Sequence, residues 1–208
     1  MKVAKFGGSS LSTAAQIRKI ADIIGRDDQR RLIVVSAPGR RSSGDPKVTD
    51  LLIAAAEARL SGGNGSAEIA RVIERFSAIG TQLDLAQECL EAITADLRAR
   101  LDLPTADDGL FKDTLKAAGE ANCARLVAEY LRANGTETHC VDPLEAGLIL
   151  SGEAGNARVL QASYGRLRTL RERPGITVFP GFFGYTEAGR LVTFPRGGSD
   201  ITGAILAA

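Results

Sequence analysis

Tryptophan is missing from the 208-residue chain, histidine and methionine occur once each, and aromatic residues make up only 5% of the whole. With one histidine, any chemistry that needs a histidine base or a histidine-rich metal cage rests on His139 alone. That residue sits in a Thr-His-Cys-Val segment, where a structural role is expected. Three cysteines, Cys89, Cys123 and Cys140, are odd in number and widely spaced. Such spacing argues against a disulfide framework and against a zinc site of the CxxC type, leaving buried thiols. Charge of one sign is lacking too: Lys+Arg number 26 against Asp+Glu 25, for a net charge of +1. No overall field draws the chain to nucleic acid or to an anionic membrane, and neither is an expected partner. No apolar run approaches membrane-spanning length, and Met1–Phe6 runs straight into strand-like sequence, so the expectation is a cytoplasmic protein.

What is present suits a globular core. Hydrophobic residues at 44% and charged residues at 25% are ordinary for one domain, or one large piece of a domain. Val3–Phe6 reads as a short buried strand ending in the turn Gly7-Gly8-Ser9-Ser10, after which Ser12 or Thr13 can cap a helix reaching Gly25. Leu32–Ala37 is a continuous apolar run, the pattern of a strand covered on both faces in a parallel sheet. Pro38–Lys47 reads as a surface loop. Val48 to about Leu101 reads as helical with one break at Ser61–Gly65, and Gly119–Ala133 as a further helix closed at Asn134-Gly135. Strands are expected at Thr138–Val141 and Ile176–Phe179, with a short helix at Leu160–Arg171 between them. A hairpin follows over Phe183–Phe194, then a helix start at Ile201–Ala208. Alternating strands and helices point to an α/β sandwich.

Two glycine-rich turns stand where strands give way to helices. Glycine lets backbone amides approach an anion, and a helix start offers unpaired donors. Lys5-Phe6-Gly7-Gly8-Ser9-Ser10 adds an ammonium to such a cradle, although it is neither a Walker A loop nor a dinucleotide fingerprint. Arg196-Gly197-Gly198-Ser199-Asp200 combines a forked cation, a hydroxyl and a carboxylate within five residues. Arginine can grip a carboxylate with two donors, and Ser199 is a candidate cap for the helix that follows.

These motifs, with Val34-Val35-Ser36-Ala37, Val48-Thr49-Asp50-Leu51-Leu52, Gly119-Glu120 and Pro180-Gly181-Phe182-Phe183-Gly184, occur in the order found in aspartate kinases. The chain resembles that family along essentially its whole length, and most resembles members of the Gram-positive bacterial type. The resemblance implies a three-layer α/β/α sandwich of the amino acid kinase (carbamate kinase-like) type. Residues 1–208 would be its N-terminal portion, ending after the amino-acid-binding half, with the rest of the nucleotide site and the regulatory ACT modules absent. It implies phosphoryl transfer from ATP, with Mg2+, to the side-chain carboxylate of L-aspartate, and a homo-oligomer. An isolated fragment is expected to be inactive.

By the same resemblance, Lys5 neutralises charge on the transferred phosphoryl group, Gly7, Gly8 and Ser9 supply amides and a hydroxyl, and Ser36 lies beside the reacting groups. Arg196 clamps the α-carboxylate and Glu120 pairs with the α-ammonium. Thr49, Phe182 and Ser199 complete the amino-acid site, and Asp200 holds lysine in register. No metal-ligating residue is implied. On its residues alone, Glu120 also reads as a glutamate at a helix start, favoured there by the helix dipole. Another amino acid kinase superfamily enzyme, acting on glutamate, carbamate or a nucleoside monophosphate, and a non-catalytic amino-acid-binding module are the alternatives.

Overall fold

In the computed structural model, which describes residues 1–208, four parallel strands form the central sheet. They are β1 (Lys2–Phe6), β2 (Arg30–Val35), β3 (Thr138–Cys140) and β4 (Ile176–Pro180), in the order β1-β2-β4-β3. Side chains alternate across the sheet, and β2 divides cleanly: Ile33 and Val35 join one buried cluster, Leu32 and Val34 the other. Both faces of β2 are therefore covered, which is why its sequence is uninterrupted apolar residues. The first face carries α1 (Ala14–Gly25), α2 (Val48–Leu60), α3 (Ser66–Gln82), α4 (Gln87–Leu101) and the long α5 (Asp108–Ala133). The second carries the short α6 (Pro143–Ala146) and α7 (Ala162–Leu167), the antiparallel hairpin β5 (Phe183–Tyr185) with β6 (Leu191–Thr193), and α8 (Gly198–Ala207). Helices on one side, sheet, then helices and hairpin on the other make the expected three layers. No helix is long and apolar enough to cross a membrane.

Several boundaries obey local rules. The Thr13 hydroxyl accepts the Gln16 N–H and starts α1. After α5, Gly135 adopts φ +80°, and the N–H groups of Gly135 and Thr136 close on the carbonyls of Arg132 and Leu131. That is a Schellman ending, in which glycine avoids the Cβ penalty of the left-handed region.

Three expectations need correction. The helical stretch after Val48 breaks twice, since α3 and α4 are separated at Leu83–Ala86, where Asp84 adopts φ +56°. The helix expected from Gly119 begins eleven residues earlier, with the Asp107 carboxylate accepting the Leu110 N–H as its cap. Gly119 is thus mid-helix, for a packing reason: a Cβ there would lie 2.7 Å from the Ala37 Cβ. Glu120 is consequently not at a helix start, and a favourable helix dipole does not account for it. Ser199 does not cap α8 either; Gly197, at φ +87°, occupies the N-cap position with no side-chain hydrogen bond.

Candidate functional site

β1, β2 and β4 end level with one another, Phe6 facing Val35 and Val35 facing Pro180. The turns that leave these strands therefore gather at the carboxyl edge of the sheet, where open α/β folds place their ligands. The turn after β1 and the turn after β2 touch backbone to backbone. The Gly39 N–H donates to the Gly8 carbonyl at 2.8 Å, and a Cβ on Gly39 would fall 2.6 Å from the Gly8 carbonyl carbon. Glycine at 39 is thus required by close approach.

The turn after β4 packs on the start of α8 in the same way. A Cβ on Gly181 would lie 2.7 Å from the Ser199 Cβ, and one on Gly198 would lie 2.7 Å from the Phe194 Cβ. Phe182 is held at φ +77°, a conformation that non-glycine residues rarely adopt. Its N–H donates to Thr202 Oγ1 at 3.1 Å, and its carbonyl accepts the Phe194 N–H at 2.8 Å. A strained aromatic tied at both ends of its peptide is a common signature of a functional turn.

Between these turns lies a cleft of about 460 Å³. Lys5, Ser36, Thr49, Glu120, Phe182, Arg196, Ser199 and Asp200 all line it. Gly8 and Ser9 line an adjoining hollow of about 390 Å³ that shares Ser36, Thr49 and Glu120 with the cleft. Gly7 lies beneath Lys5, its virtual Cβ 3.6 Å from the Lys5 Nζ. Lys5 Nζ is 2.7 Å from Asp200 Oδ1, an ion pair that spans the two glycine-rich motifs. All the residues singled out from the sequence thus converge on one edge of the molecule.

Glu120 is the electrostatic centre. It is 5% exposed, and its Oε2 has no hydrogen-bond partner. Burial pushes its pKa up to about 8, against the weaker opposing pull of the Ala37 N–H, its own N–H and the Lys5 charge. A buried carboxyl oxygen without a partner, on a residue that lines a polar cleft, is costly unless a ligand or a neighbouring group satisfies it.

The sequence reading missed other members of the site. Lys116, Lys47, Asp50 and Gly155 also line the cleft. Lys116 lies one helical turn before Glu120, so the spacing itself would have flagged it once α5 was extended backward. Asp113 is 1% exposed; its Oδ1 lies 2.6 Å from Lys116 Nζ, and its Oδ2 accepts the N–H groups of Gly155 and Thr193, each at 2.8 Å. Arg75, 4% exposed and far away in sequence, fastens the loop after β2. It donates to the Gly39 carbonyl at 3.0 Å, the Asp45 carboxylate at 2.5 Å and the Pro46 carbonyl at 3.2 Å. Hydrogen bonds from Arg41, together with the Arg75 charge, hold Asp45 well below the usual carboxylate range.

The three cysteines are free and the single histidine lies on β3, away from the cleft residues. No group of three or more His, Cys, Asp or Glu side chains is gathered anywhere in the chain.

Comparison with known proteins agrees with this arrangement. A model of the amino acid kinase family matches residues 1–208. Aspartokinase 3 of Bacillus subtilis is 47% identical over 207 residues, covering 100% of this chain and 46% of that protein. Lysine-sensitive aspartokinase 3 of Escherichia coli is 30% identical over 215 residues, covering 99% of this chain and 45% of that protein. Among solved structures, E. coli aspartokinase III in complex with lysine and aspartate superposes with a TM-score of 0.80 at 29% identity, over 100% of this chain and 46% of that one. The same enzyme in complex with aspartate and ADP gives 0.75 at 27% identity, again over 100% and 46%. The chain spans about half the length of these relatives. Since the family match runs over every residue that builds the sheet and its turns, and solved aspartokinases share the fold, this chain belongs to the amino acid kinase family.

Proposed function

We propose that residues 1–208 are the amino-acid-binding part of an aspartate kinase catalytic domain, which transfers the γ-phosphoryl group of ATP to the side-chain carboxylate of L-aspartate. The observation that carries this reading is the buried Glu120 oxygen without a partner, in the cleft that also holds Arg196. One carboxyl group and one forked cation in a single cleft suit a zwitterion: Glu120, giving up its proton as the ligand binds, and Thr49 receive the α-ammonium, Arg196 and Ser199 the α-carboxylate. Phe182 walls the site. With both charges of the amino-acid end held, the side-chain carboxylate extends toward Lys5 and the turn of Gly7, Gly8 and Ser9.

That carboxylate is already an anion at neutral pH and needs no base. One of its oxygens forms the new bond to the γ-phosphorus as the bond to the β-phosphate oxygen breaks and ADP leaves. The chain's contribution is positioning and charge stabilisation, the two terms that dominate phosphoryl transfer. Lys5, oriented by Asp200, neutralises charge on the transferred group, and Ser36 lies at the shared wall of cleft and hollow. Magnesium is commonly carried by substrate phosphates with one or two carboxylates, not by an all-protein cage. Asp200, 70% exposed and paired through one oxygen, is the cleft carboxylate suited to meet it; the ion would supply further neutralisation of phosphate charge. A relative described in complex with aspartate and ADP supports both substrates. The reading also carries a cytoplasmic location. It includes a homo-oligomer as well, which analytical ultracentrifugation tests.

Calorimetric titration of the chain with L-aspartate, L-glutamate, carbamate and a nucleoside monophosphate tests the substrate. Aspartate is expected to bind most tightly, and Arg196→Ala to weaken it by roughly 10- to 100-fold, the worth of a charge-assisted hydrogen bond. Aspartate binding that survives Arg196→Ala overturns the clamp, and preference for another ligand overturns the reaction. In a protein that carries the whole catalytic domain, trapping the acyl phosphate with hydroxylamine in the presence of ATP and Mg2+ checks the transfer itself, whereas residues 1–208 alone are expected to give no acyl phosphate.

A further inference from the structure

Lys116 and Glu120 lie on one face of α5 at the (i, i+4) spacing where a lysine and a glutamate ordinarily pair. Here they do not pair. Glu120 Oε2 has no partner, while Lys116 Nζ is drawn to Asp113 Oδ1 at 2.6 Å. Asp113 is itself immobilised, because its other oxygen accepts two backbone N–H groups, from Gly155 and Thr193. Lys116 also reaches Thr193 Oγ1 at 3.3 Å and sits 5.9 Å from the centre of the Phe182 ring, a wall of the cleft. An ammonium has three donors. Two are accounted for by Asp113 and Thr193, and the third belongs to a cleft-lining side chain that is 18% exposed.

We propose that Lys116 is a specificity-determining contact for the unreactive α-carboxylate of the amino-acid substrate, acting beside Arg196, with Asp113 as the positioning residue that holds it; this rests on the aspartate-binding reading above. Two features assign it to that end of the substrate. Its anchor, Thr193, ends β6 and leads through Phe194 and Pro195 to Arg196, whereas Lys5 stands on β1 against Asp200. Moreover, Lys116 and Asp113 form a pair with no net charge, so the cleft gains a donor without adding a bare cation beside Lys5. The same pairing keeps Lys116 off Glu120, whose oxygen stays free for the α-ammonium.

The test compares L-aspartate with β-alanine, which keeps an ammonium and the reacting carboxylate but lacks the α-carboxylate. Both are titrated by calorimetry, or by ligand-observed NMR where binding is weak. Lys116→Met is expected to weaken aspartate by roughly 10- to 100-fold and leave β-alanine unchanged. Because that variant strands Asp113 in the interior, the double variant Lys116→Met/Asp113→Asn carries the same comparison without a buried uncompensated charge. Equal losses for both ligands in the double variant, the mark of a merely structural role, overturn the proposal, as does an unchanged aspartate affinity. No aspartate binding by the unsubstituted chain would sink the substrate reading itself; a preference for aspartate that persists in the variants sinks only the Lys116 assignment.

Discussion

Replacing Glu120 by glutamine while varying pH probes the most strained electrostatic feature of the cleft. The folded protein raises this carboxyl from 4.5 to about 8, a difference of 8 − 4.5 = 3.5 units, or about 5 kcal/mol at 1.36 kcal/mol per unit. Between those two values the folded chain holds a proton that the unfolded chain has lost, so stability falls as pH rises through that window. The penalty is absent below pH 4.5 and complete above pH 8. Glu120→Gln removes the ionisation, so wild type should lose stability relative to the variant by about 3 kcal/mol at pH 7 and about 5 kcal/mol at pH 9. Urea denaturation at pH 5, 7 and 9 measures it. The same proton couples to ligand. In the free protein at pH 7 most Glu120 is neutral, whereas an α-ammonium requires the carboxylate, so aspartate binding should release close to one proton. Affinity should then climb roughly tenfold per pH unit from 6 toward 8 and level off, while Glu120→Gln binds weakly with no such climb. Calorimetry in phosphate and in Tris, which differ in ionisation enthalpy, reads the proton directly. A pH-independent aspartate affinity, or parallel stability curves for wild type and variant, would refute the reasoning.

Arg75→Met removes the buried fork that ties the loop after β2 to α3. Breaking one side of such a pair should cost about 3–5 kcal/mol, seen as a lower midpoint in denaturant. Gly39→Ala forces a Cβ to within 2.6 Å of the Gly8 backbone; it should destabilise by about 1–3 kcal/mol and weaken nucleotide binding more than aspartate binding, measured by thermal shift with each ligand. Gly181→Ala meets Ser199 at 2.7 Å and should do the reverse, lowering aspartate affinity first. Asp200→Asn frees Lys5 from its 2.7 Å partner; since Asp200 is largely exposed, the fold should keep its stability in denaturant, and in a protein carrying the whole catalytic domain the loss should appear in the rate of phosphoryl transfer.

Much of this architecture was legible residue by residue. The apolar run of β2 announced a strand buried on both faces, because its periodicity admits no solvent side. Thr13 and Gly135 marked helix ends through backbone chemistry that operates within a few residues. The two glycine-rich turns offered a candidate anion cradle and a candidate acid-binding motif, and their order with the other motifs carried the resemblance to aspartate kinases. Gly119 misled for an instructive reason: a glycine that precedes a helix and one inside a helix that admits a neighbour's side chain look alike in sequence. The neighbour here, Ala37, is eighty-two positions away. Ser199 misled similarly, since a serine beside a helix start suggests a cap, and only the left-handed conformation of Gly197 shows which residue holds that position.

Local composition and pattern therefore determined the class of fold, the places where the chain turns, and the charged and hydroxyl residue types available to the candidate site. The tertiary structure alone decided which of them share a cleft: that Lys5 meets Asp200, that Lys116 is pulled to Asp113 and Glu120 left without a partner, and that Arg75 reaches across to the Gly39 loop. Hydrogen-bonded turns and hydrophobic periodicity are short-range and can be read along the chain. Desolvation and charge pairing depend on what lies nearby in space, and the alignment of three strand ends at one edge of the sheet sets that.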